Sequence, residues 1–123
     1  MAKIQITEQQ VTIRLDWWEK ISARRSHLSV PIRAITGVSV VADACEVAGA
    51  LKKAAGGTQA RPNDVTGTIN TTTAEGDVDS TFSACHGHGP GIVLDLDSAT
   101  VNHIIISTSE AEHYAQQLTQ YIG

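Results

Sequence analysis

The densest concentration of reactive side chains is the run Cys85-His86-Gly87-His88. A thiolate and two imidazoles are soft to borderline donors of the kind that hold zinc or copper. The set lacks a fourth ligand at a fixed spacing, and the plainer reading is a buried cysteine at a strand end followed by a glycine-rich turn with exposed histidines. Nucleophilic chemistry would need Cys85 activated by a positioned base. His86 is the local candidate, yet neighbours on a strand point to opposite faces and should not meet. His27, His103 and His113 are scattered and read as surface or core-edge residues. No Gly-x-Ser-x-Gly, phosphate loop or dinucleotide fingerprint occurs, because Gly87-His88-Gly89-Pro90-Gly91 lacks a strand-to-helix context. The expectation is a non-enzyme with no catalytic residue, no cofactor and no metal, with Cys85, His86 and His88 as weak metal candidates.

A second concentration is positive charge beside the two tryptophans. Lys20, Arg24, Arg25, His27 and Arg33 lie near Trp17 and Trp18, and Lys52, Lys53 and Arg61 follow. Such a cluster could hold an anionic lipid headgroup or a phosphorylated ligand through Arg24, Arg25 and Arg33. The chain as a whole carries a net charge of −4, which disfavours nucleic acid and argues for solvated charges over a membrane surface. Tandem indoles seldom stay in water, so Trp17 and Trp18 read as core, oligomer interface or a contact patch.

The elements that would position these residues follow from periodicity. Ile4 and Ile6, then Val11, Ile13 and Leu15, alternate with polar residues and predict two strands, paired as a hairpin. Asp16 can cap a short helical turn bearing Trp17, Trp18 and Ile21. Leu28 and Val30 predict a strand that Pro31 stops, and Gly37 a turn or bulge before a strand at Val38–Val41. Asp43 to Ala55 reads as a short helix weakened by Gly49 within the Ala/Gly-rich stretch 42–63. Further strands are predicted at 65–73, 81–85, 92–97 and 101–107. The C-terminal segment is an amphipathic helix with Ser109 and Glu112 as a capping box and Ala111, Tyr114, Ala115, Leu118, Tyr121 and Ile122 on one face.

At 123 residues the chain suits one domain, 1–123, with one core, and an aromatic content of 4% leaves Val, Ile, Leu and Ala to fill it. No stretch is apolar for long enough to cross a bilayer and the first residues lack a signal-peptide pattern, so a cytoplasmic location is expected. Two cysteines, Cys45 and Cys85, are too few to suggest a disulfide framework there and read as reduced thiols.

The strand and Trp-bearing turn followed by His-Leu-Ser-Val-Pro-Ile-Arg-Ala-Ile-Thr-Gly-Val-Ser-Val-Val (27–41) resemble the start of the small bacterial pleckstrin-homology-like (PH-like) proteins of uncharacterised function. Thr81–Gly87 leading to Pro90–Leu96 resembles a hairpin of that family, and Ile104–Thr108 its last strand. The likeness covers about three quarters of the chain; the stretch 42–63 departs from the family's usual loop, and the basic pattern of phosphoinositide-binding pleckstrin-homology domains is not reproduced. It implies an α+β, mainly β fold, a bent antiparallel sheet or partly open barrel of about seven strands capped by a C-terminal helix. The function expected is a non-catalytic binding or interaction module, with a protein partner or self-association through sheet edges and the Trp turn.

Overall fold

The computed structural model describes residues 3–15, 27–54, 64–72, 74–87, 89–97 and 101–122. Trp17, Trp18, Arg24, Arg25 and His88, and with them the Trp turn, lie outside the described residues.

Two sheets, neither closed, and two helices make a mainly stranded α+β fold. The first sheet is a meander of β1 (Lys3–Ile6), β2 (Gln10–Arg14) and β3 (His27–Pro31). Ile4 faces Ile13 and Val11 faces Val30 across it, and all four are buried. The other face is polar, with Thr12 and Ser29 hydroxyls 3.0 Å apart and the Arg14 Nε–H donating to Gln5 Oε1 at 2.9 Å. Period-two alternation gave this sheet its sidedness, because a one-residue slip would turn every apolar side chain to water. Pro31 closes β3, and a single 3₁₀ turn, Ile32–Ala34, swings the chain into the second sheet.

That sheet contains β4 (Ile35–Val41), β5 (Asp64–Thr72), β6 (Val78–His86), β7 (Gly91–Leu96) and β8 (His103–Ser107), in the order β4-β7-β8-β6-β5. The bulge expected at Gly37 is present as a register shift between Ile35 and Gly37, although β4 begins before it. The two segments expected to form a hairpin, β6 and β7, are not neighbours. β8 lies between them, parallel to β6 and antiparallel to β7. The cause is legible in Ile104-Ile105-Ile106, exposed by 0, 1 and 0%. A run apolar at every position must be covered on both faces, so it takes the centre of the sheet. Asn102 fixes the entry to β8, donating its N–H to Ser80 O and accepting from Ser80 N–H through Oδ1, at 2.8 and 2.9 Å.

The inner face of the second sheet, with Phe82, Ala84, Ile92, Leu94, Ile104 and Ile106, closes one core against the first sheet. Helix α2 (Ala111–Ile122) adds Leu118, fully buried, with Tyr114, Ala115 and Ile122 half-buried beside it. Tyr121, expected on the same face, is exposed. The expected capping box gives way to Thr108, whose Oγ1 accepts from the Glu110 N–H at 3.1 Å at the helix entry. Burial, then the charge of Glu110 and a hydrogen bond with it, push the Tyr114 hydroxyl above its ordinary value, so it stays protonated at neutral pH.

Helix α1 (Ala44–Ala54) covers the outer face of the same sheet. Asp43 caps it, Oδ1 accepting from the Glu46 N–H at 3.2 Å, and Lys52 and Lys53 meet the negative end of its dipole. Ala44, Cys45, Ala48 and Gly49 are its buried residues. Their small size lets the helix approach closely, and Gly91 beneath is part of the same fit. A Cβ at Gly91 would collide with the Ala44 Cβ and stand 2.5 Å from the Ile106 carbonyl oxygen. Gly91→Ala should therefore lower stability by about 1–3 kcal/mol, read as a lower urea midpoint at unchanged slope.

Candidate functional site

Register turns the outer face of the second sheet into rows. Gly37, Asp95, His103, Thr81 and Ile69 form one row across β4, β7, β8, β6 and β5; Ser39, Val93, Ile105, Ser83 and Gly67 form the next. Gly91 and Ser107 begin a third. α1 lies over the latter part of this face, where Cys85, Ile105 and Ile69 join Ala44, Cys45 and Ala48 in a small apolar cluster. Thr81, Ser83 and Ser107 are buried polar residues of this face, and the Ser107 hydroxyl accepts from the His86 N–H at 3.0 Å.

The first row remains half open and carries charge. His103 Nδ1 is 2.9 Å from Asp95 Oδ1, and its Nε2 is 3.7 Å from Asp79 Oδ2. A carboxylate at each ring nitrogen ties β6, β7 and β8 together at that end of the sheet. All three side chains are between a third and a half exposed, so solvent screens the pairs and their contribution is modest. The arrangement orients an imidazole, as acid–base sites do. The described residues show no nucleophile hydrogen-bonded to it, and the row reads as a structural clamp. Asp95 and His103 meet across the consecutive antiparallel strands β7 and β8, and Asp79 joins them only because β8 also pairs with β6, so His103 looks solitary in the sequence.

The cysteines contradict the reading as reduced thiols. Cys45, in the first turn of α1, and Cys85, on β6, form a disulfide, with both residues essentially buried and Cα atoms 5.4 Å apart. Their sequence separation of 40 hid the pairing, since only the seating of α1 on β6 brings them together. With its sulfur so engaged Cys85 is not a thiolate ligand, and His86 follows it at a strand position that alternates to the other face. No group of three or more metal-ligating side chains is gathered among the described residues.

Of Arg24, Arg25 and Arg33 only Arg33 is described. It is exposed on the 3₁₀ turn and lines an open cleft of about 460 Å³ with Glu8, Gln9, Pro31, Ile32 and Tyr121. Glu8 places negative charge in the same cleft. Among the described residues no helix is long and apolar enough to cross a membrane.

The chain matches no known family model, no curated protein and no solved structure. What remains for a functional argument is the geometry of its surfaces.

The edges of the sheets differ sharply. β1 has four residues, and β3 has five and ends in proline. β4 is packed against α2. β5 is the exception: nine residues, Asp-Val-Thr-Gly-Thr-Ile-Asn-Thr-Thr, without Lys, Arg or Pro, and with no strand beyond it among the described residues. Gly67, at φ 123°, is a local departure from extended backbone, and the pairing with β6 runs through it without a shift. Short strands, prolines, lysines, bulges and covering helices are the usual protections against strand addition. β5 has no proline, no lysine and no shift in its pairing, and α1 packs against it only from the outer face, through Ile69.

Proposed function

We propose that the protein is a non-catalytic interaction module of PH-like type that self-associates by joining β5 to β5 of a second copy. The nine-residue edge carries this reading: its outward N–H and C=O groups, which no strand among the described residues pairs, suit an antiparallel partner strand, and a two-fold β5–β5 contact would satisfy both edges at once. Thr68, Asn70 and Thr72 are exposed along it and suit a polar, hydrogen-bonded contact. The PH-like assignment is supported by two sheets enclosing one core, by the turn at Pro31 and the bulge at Gly37, and by the C-terminal helix against that core. The parallel pairing of β6 and β8 departs from the antiparallel sheet that the resemblance implies and weighs against it.

Lysines facing each other across the new pairing repel, which is how natural edges resist it. The variant Thr68→Lys/Thr72→Lys should therefore weaken self-association at least ten-fold in sedimentation velocity at unchanged thermal stability. Equal association of variant and parent would reject β5 as the contact. Anionic-ligand binding by Arg24, Arg25 and Arg33 is the weaker alternative, because Glu8 shares the cleft of Arg33. For location, the Cys45–Cys85 bond weighs against a permanently reducing cytoplasm.

A further inference from the structure

We infer that the Cys45–Cys85 disulfide is a redox latch that holds α1 on the second sheet, so that a dithiol reductant releases the helix while the two sheets stay folded. Three observations converge. First, α1 buries little apolar area: its fully buried residues are the small Ala44, Cys45, Ala48 and Gly49, with Val47 and Leu51 only half-buried against the same cluster, whereas the main core is mostly Phe, Ile, Leu and Val. Second, the two cores lie on opposite faces of the second sheet. The larger one, which includes Phe82, Leu94, Ile104 and Leu118, contains no residue of α1 and can persist without it. Third, the surface beneath α1 sets the hydroxyls of Thr81, Ser83 and Ser107 beside Ile69 and Ile105, a smaller apolar area than the inner face carries, so its exposure when the helix leaves costs less. With Val47 and Leu51 only half-buried, α1 depends on the covalent bond and on close approach at Gly91.

The chemistry balances as a thiol–disulfide exchange. One thiolate of the dithiol attacks a sulfur of the Cys45–Cys85 bond, giving a mixed disulfide and one free cysteine thiolate. The second thiol of the reductant displaces the other cysteine, and two electrons and two protons have passed to the protein as the reductant becomes a disulfide. Both cysteines are exposed by 2% or less, so the attack requires α1 to open first, and reduction is gated by the same motion that it stabilises. The open groove of about 560 Å³ along α1, which includes Val41, Val47, Ala50 and Leu51, exists only while the helix is seated. Reduction therefore also abolishes that groove.

Hydrogen exchange on the full chain tests this, comparing the air-oxidised protein with the same protein in excess dithiothreitol and with the Cys45→Ser/Cys85→Ser variant. In the oxidised protein the α1 amides should be protected at least a hundred-fold. In the reduced protein and in the variant they should exchange within ten-fold of an unstructured chain, while Ile104, Ile105 and Ile106 remain at least a hundred-fold protected. If α1 stays as protected as β8 after reduction, the helix holds without its bond and the latch is rejected. If β8 loses protection together with α1, in the reduced parent or in the variant, the bond is a staple for the whole domain and the latch is likewise rejected. Two reactive thiols in the denatured, air-purified protein would remove the bond itself.

Discussion

Truncating Phe82 to alanine should destabilise the protein by about 3–5 kcal/mol, the range for removing a large aromatic side chain from a packed interior. Phe82 is the single phenylalanine of the chain and the largest of the fully buried side chains among the described residues. It sits on β6 next to Ile104 of β8 in register, and on the inner face it belongs with Ile13, Val30, Leu94 and Leu118. The other fully buried core residues described are aliphatic and most are held by strands, so the space left by a missing ring would not collapse easily. Domains of this size are stable by about 5–15 kcal/mol, so the loss is a large share of the total. Urea unfolding followed by far-ultraviolet circular dichroism should show the midpoint falling at constant slope. A loss below about 1 kcal/mol would mean that Phe82 is not packed between the two sheets as described.

Removing the covalent link should have an effect of comparable size through the unfolded state. A bond closing a loop of some 40 residues restricts the unfolded chain by about 4 kcal/mol in the loop-entropy description. Cys45→Ala/Cys85→Ala should therefore unfold at markedly lower urea than the air-oxidised parent. The parent should approach the variant when dithiothreitol is added, and the variant should not respond to it. Unequal effects of reduction and substitution would show how much the buried sulfurs contribute by packing, because alanine also removes atoms from the cluster around Ile69 and Ile105. Equal stability with and without the bond would contradict the seating of α1.

The local elements were legible because their causes are local. Alternation at Ile4–Leu15, Leu28–Val30 and Ile92–Leu96 announced strands with one buried face, and each is present with that face inward. Gly37 announced a bulge, and the stretch 109–123 a helix. The order of strands was not legible in the same way. A hairpin is the default for consecutive strands, and the signal against it lay in Ile104-Ile105-Ile106, whose unbroken apolarity calls for cover on both faces. On the outer face that cover is supplied by α1, which Gly49 and a small-residue composition made look weak when helix propensity was considered alone. Small residues there serve close approach to the sheet, a tertiary reason that propensity does not contain. The disulfide and the Asp79–His103–Asp95 row follow from the same seating and the same strand insertion, so both were hidden with it. Of the basic and aromatic candidates, Arg33 is on an exposed turn, and Trp17, Trp18, Arg24 and Arg25 fall outside the described residues.

The claim that β5 is the working surface is tested most directly by amide exchange across β5 as a function of protein concentration. Alternate amides of β5 face away from β6 and should exchange freely in dilute protein, while those bonded to β6 stay protected. Raising the concentration should protect the outward amides, in step with a doubling of mass by light scattering. Thr68→Lys/Thr72→Lys should abolish both changes. Outward amides that exchange freely at every concentration, or a dimer that forms without protecting them, would contradict the account.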